Sequence, residues 1–86
     1  MITKEDAERI EKIMSRFDFS QVHKIMIDNN WEWACEGIPS VESLCKTARR
    51  LLIRIAEGKC YYTSTGGFST CRVNGEISLF WGIDYY

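Results

Sequence analysis

The side chains with the most chemical potential in this chain are four cysteines, Cys35, Cys45, Cys60 and Cys71, and a single histidine, His23. Four thiolates, or three with an imidazole, could hold a tetrahedral zinc ion, and in an oxidising compartment they could pair as disulfides. Structural zinc sites draw their ligands from closely spaced C-x₂₋₄-C pairs, and no such pair exists here. The first ten residues, MITKEDAERI, are charged and amphipathic and do not resemble an export signal. The expectation is therefore four reduced thiols acting as small, mostly buried hydrophobes, with no metal and no cofactor, in a cytoplasmic chain. Catalysis finds little support. His23 stands alone beside Lys24, no nucleophile-base constellation can be read from the spacing, and no pair of carboxylates stands out, so the chain reads as a non-enzyme.

Two other features could bind phosphate. In Ser64-Thr65-Gly66-Gly67-Phe68, adjacent glycines allow positive φ and close approach of backbone N–H groups, with hydroxyls alongside. The stretch lacks both G-x-x-x-x-G-K-[ST] and G-x-G-x-x-G and precedes a strand rather than a helix, so its competing reading is a structural turn or bulge that admits Phe68 to the core. Charge is also unevenly spread: residues 1–45, 46–59 and 60–86 carry −4, +4 and −1. Within the positive island Lys46, Arg50 and Arg54 recur at i, i+4 and i+8 with Arg49 beside them, a stripe able to meet phosphates or an acidic protein. The alternative is a solvated helix face whose cations suit the helix C-terminus.

These residues must be positioned by a small domain. Eighty-six residues, 45% apolar and 13% aromatic, make one domain spanning 1–86, too apolar for disorder and with net charge −1 too balanced for a strongly basic nucleic-acid binder. No apolar run approaches the ~18 residues of a membrane span. Thr3 with Asp6 approximates a capping box for a helix from about Thr3 to Phe17, with Ala7, Ile10, Ile13, Met14 and Phe17 at helical spacing. Asp18 or Ser20 caps a second helix ending near Asp28-Asn29-Asn30. Trp31-Glu32-Trp33-Ala34-Cys35-Glu36 has the two-residue period of a strand with Trp31, Trp33 and Cys35 facing inward. Ser40 then caps a third helix, roughly 41–57, that stops at Gly58. Residues 63–67 read as loop. Asn74-Gly75 predicts a two-residue hairpin pairing Val73 with Glu76 and placing Phe68, Ile77, Leu79, Trp81 and Ile83 on one face. The predicted fold is α+β, in the order α-α-β-α-β-β, with about three antiparallel strands and the helices on one face.

Trp31-x-Trp33, Gly37-x-Pro39-Ser40 opening a helix, and Ser64-Thr65-Gly66-Gly67-Phe68 leading into a hairpin with Leu79-Phe80 together resemble a group of small proteins encoded by tailed bacteriophages and prophages. The resemblance spans about 17–80; the Asn74-Gly75 turn and the Tyr85-Tyr86 tail depart from it. It implies a setting, the cytoplasm of a bacterial host cell, and carries no catalytic residue. Small size, surplus aromatics and this setting together lead to an interaction protein that modulates a bacterial host protein of defence or replication. Nucleic acid or nucleotide bound by Lys46, Arg49, Arg50 and Arg54 with Ser64, Thr65, Gly66 and Gly67 is the alternative. A homodimer is a further expectation: the strand from Ile77 to Asp84 would present Phe80, Trp81, Tyr85 and Tyr86 along an unprotected edge.

Overall fold

The computed structural model describes residues 1–34, 36–82 and, for the backbone, 84–85. Three helices come first. α1 (Lys4–Arg16) is capped by Thr3, whose hydroxyl accepts from Asp6 N–H at 3.1 Å. The box is half made, because the Asp6 carboxylate turns to Arg72. α2 (Phe19–Asp28) is capped by Asp18, which accepts from Gln21 N–H at 2.9 Å. α3 (Val41–Ala56) is capped by Ser40, and Gly58 beyond it takes φ +77°, the left-handed conformation that ends a helix.

The strands follow as an antiparallel meander, β1 (Tyr62–Thr65), β2 (Phe68–Val73), β3 (Glu76–Trp81) and the two-residue β4 (Asp84–Tyr85), adjacent in that order. The Asn74-Gly75 turn pairs Val73 with Glu76 as expected, with φ +53° and +85° as a type I′ turn requires. Phe68, Ile77, Leu79 and Trp81 share the buried face; Ile83 lies outside the described residues. Leu44, Leu51, Leu52 and Ile55 of α3 cover that face, and α1 brings Ile10 and Ile13. Phe17, Phe19 and Phe68 form a tilted ring cluster with centroids 4.8–5.9 Å apart. Thr70, wholly buried among these apolar groups, donates its hydroxyl to Ser78 O at 2.7 Å, so the one polar inner-face position of β2 at full burial is satisfied within the sheet.

The α+β class and the single helical layer hold, but the order is α-α-α-β-β-β-β. Residues 31–36 are not a strand. The chain doubles back there, with Trp33 and Gly37 forming an isolated antiparallel bridge, and Trp31 is 52% exposed. An alternating pattern forms a strand only where a neighbour completes the ladder. Cys35 lies outside the described residues. Residues 62–65, expected as loop, form the first strand instead, because Gly66 and Gly67 at φ +63° and +91° make a second two-residue hairpin turn that pairs Thr65 with Phe68.

The two ends of β3 are treated differently. Next to a two-residue hairpin the Arg72–Ile77 pair turns its amide groups out of the ladder. On the outer side Ile77 O accepts from Arg9 Nε of α1 at 3.2 Å, and β4 pairs with Phe80 and Trp81. The segment 77–84 is thus two strands folded at Gly82 and not one open edge. Trp81, expected at an interface between copies, is 6% exposed and faces the helices, while Phe80 on the opposite face is half-buried. The side chains of Asp84 and Tyr85, and Tyr86 entirely, lie outside the described residues.

Candidate functional site

α2 ends at Asn29 and Asn30, the latter at φ +52°, and Trp31 N–H donates back to Met26 O at 2.9 Å. That reversal, with the 33–37 bridge, swings the Trp31–Trp33 segment across the end of the sheet toward the Gly66-Gly67 turn. Trp33 Nε1 donates to Gly66 O at 3.1 Å. A β-carbon on Gly66 would lie 2.6 Å from the Trp33 indole, and one on Gly67 would lie 2.9 Å from Trp81 Nε1. Glycine is needed here twice over, for positive φ and for the approach of two indoles.

The three tryptophans wall a cleft of about 700 Å³. Trp31 and Trp81 stand tilted at 45° with centroids 6.1 Å apart, and Met26 lies below them. Thr47 and Arg50 line it from α3, Thr65 from β1, and the exposed carboxylates of Glu32 and Glu36 from the connecting loop. Trp81 Nε1 is buried with no hydrogen-bond partner among the described residues, which costs about 1–3 kcal/mol in desolvation that nothing offsets.

A second groove, about 740 Å³, runs along the Lys46–Arg50–Arg54 stripe beside Thr63 and Thr65 and shares Arg50 and Thr65 with the first. Its charge is largely spent. Lys46 pairs with Glu42 at 3.2 Å and Lys59 with Glu57 at 3.7 Å. Arg49 Nη1 donates to both oxygens of Glu11 at 2.9 Å, bridging α3 to α1. The Arg49 hydrogen bond holds the Glu11 carboxyl below its usual range and raises Arg49 in turn. Arg50 and Arg54 make no ion pair among the described residues.

Of the residues expected to form a phosphate site, Arg50, Thr65, Gly66 and Gly67 meet at one cleft, and Lys46 and Arg54 continue from it. Arg49 is drawn away to α1. Ser64 falls on the opposite face of β1 from Thr65, beside Ser69. The glycine pair is a hairpin turn that lets Phe68 enter the core, as the structural alternative held. Tryptophans 31 and 33 were read as core; their convergence with Trp81 had only one sequence signal, the concentration of indoles before a Gly-x-Pro break. Cys45, Cys60 and Cys71 are free, half-buried thiols, and burial raises that of Cys45 above its ordinary value. No cluster of three or more metal-binding side chains occurs among the described residues, and no helix of the structure is long and apolar enough to cross a membrane. No family model matches the chain, and no curated protein or solved structure matches it significantly.

Proposed function

We propose that this chain is a non-enzymatic interaction protein whose recognition site is the tryptophan cleft. The observation that carries the reading is the convergence of Trp31, Trp33 and Trp81 with the unpaired Arg50 on one open cleft. Tryptophan and arginine are the side chains that dominate binding energy when they sit in a desolvated pocket, and a half-exposed indole is costly to keep without such a role. The phage resemblance supports a bacterial host protein as the partner and the host cytoplasm as the setting. In the test, tagged protein and its Trp31→Ala variant serve in parallel as bait in bacterial extract. A protein retained in near-equimolar amount by the first, and at least about tenfold less by the second, is the expected result. Retention of nothing specific, or of the same partner equally by both, overturns the reading.

Nucleic acid along the α3 groove is the second reading, favoured by Arg50 and Arg54 side by side without ion-pair partners. Two neutralised phosphates limit the slope of log affinity against log salt to about −1.8 on duplex or −1.4 on single strands. A labelled oligonucleotide titrated at low salt should then show weak binding that Arg50→Ala with Arg54→Ala abolishes. A steeper slope or an indifferent variant rules out this groove.

A further inference from the structure

The cleft is unbalanced in its hydrogen-bonding groups. Both carbonyls of the turn beneath it are taken, Gly66 O by Trp33 Nε1 and Gly67 O by Gly82 N–H. The Trp81 indole N–H has no acceptor, and Arg50 adds donors with no carboxylate on them among the described residues. Thr47 and Thr65 hydroxyls are the remaining neutral acceptors of its lining side chains. A ligand that buried its own N–H groups against these rings would leave them unsatisfied, whereas one rich in carbonyls and poor in N–H would not. Among peptide segments that description fits proline: its amide carries an acceptor and no donor, its ring lies flat against an indole, and its extended helix is formed before binding. Glycine at 67 keeps the Trp81 N–H clear on that side, where a β-carbon would stand 2.9 Å from Nε1. Glu32 and Glu36 put two carboxylates on the cleft against one guanidinium, a balance that disfavours phosphate and favours a cationic neighbour.

We infer that the occupant of the cleft is an extended proline-rich segment carrying a basic residue, held with its prolines on the indole faces and an imide carbonyl on Trp81 Nε1. The inference rests on the proposal that the cleft is the partner site, and its test separates the two. The probe is a capped proline peptide of about ten residues with one central arginine, followed by tryptophan fluorescence and calorimetric titration. Saturable binding is expected, weakened at least about tenfold by Trp31→Ala and about fivefold by Trp81→Phe, which keeps a ring and removes the N–H. Glu32→Gln with Glu36→Gln should weaken the arginine peptide and leave its norleucine counterpart unchanged. This pair, exposed and on a loop, carries the test if Trp81→Phe lowers the melting temperature. Absence of saturable binding overturns the occupant; if Trp31→Ala bait still loses its captured protein, the cleft remains the partner site, and if not, both fall. Stronger binding of a glutamate-substituted peptide, or of oligothymidylate through Trp31, also overturns it.

Discussion

Gly67 and Gly75 occupy the same second position of two type I′ turns, with φ +91° and +85°, and differ in what surrounds them. Around Gly75 a β-carbon meets nothing within 4 Å, whereas at Gly67 it meets the buried Trp81 indole at 2.9, 3.4 and 3.5 Å. Gly75→Ala therefore isolates the backbone cost of a left-handed alanine, about 1–2 kcal/mol. Gly67→Ala adds the overpacking of a side chain that is 6% exposed and wedged under Trp31, about 1–3 kcal/mol more. For a domain of this size each kcal/mol moves the melting temperature by about 4–8 °C, so the two variants should separate by roughly 5–20 °C. Urea denaturation followed by circular dichroism gives both free energies, and the tryptophan emission of Gly67→Ala should shift while that of Gly75→Ala does not. Equal destabilisation within about 0.5 kcal/mol would refute the close packing of indole on turn, and with it the account of why two glycines stand there.

Three other outcomes follow from contacts already described. Hydrogen bonds from Arg72 hold the Asp6 carboxyl below its ordinary value of 3.8, against the opposing effect of burial, so the pair stabilises the fold above that pH and loses its contribution as pH falls through the lower, folded value. Arg72→Met should cost about 1–2 kcal/mol in urea melts at neutral pH and progressively less below about pH 4; a pH-independent cost would refute the linkage. Phe68→Ala, emptying a wholly buried ring site between Phe17 and Phe19, should cost about 3–5 kcal/mol by denaturant titration, and a loss below about 1.5 would mean the ring cluster collapses freely. Arg9→Ala uncovers Ile77 O at the sheet margin and should raise self-association in sedimentation at high concentration; an unchanged profile would show that α1 shields the edge without that side chain.

What could be read from the sequence was local. Thr3, Asp18 and Ser40 announced three helices because a cap is satisfied within its own first turn, and Asn74-Gly75 announced a hairpin because φ alone selects those residues. Gly66-Gly67 serves the same turn but was taken as loop, since the preceding Thr-Ser-Thr offers no apolar alternation. The Trp31–Glu36 pattern misled for the opposite reason: alternation was present and a pairing strand was not. The candidate site was half legible. Arg50 and the glycines were visible as unusual residues, but the Glu11 that occupies Arg49 lies 38 residues away, and the meeting of Trp33 with Gly66 spans 33. Nothing short of the fold brings them together.

The order of elements, all helices before all strands, also bears on how the chain is made. A ribosome releases α1, α2 and α3 before any residue of the sheet that covers them. Leu44, Leu52 and Ile55 have no exposure in the finished domain beyond 2% and have only other helices to meet until β2 and β3 emerge. From Ala56 to Trp81 synthesis takes about 1–5 s at roughly 5–20 residues per second. The two hairpins, closed by tight turns, then form on a scale of about 1–10 μs, so elongation and not strand pairing sets the delay. A nascent chain arrested between Ala56 and Trp81 would hold out a bare apolar helix stripe, a binding site for chaperones that the completed domain no longer offers.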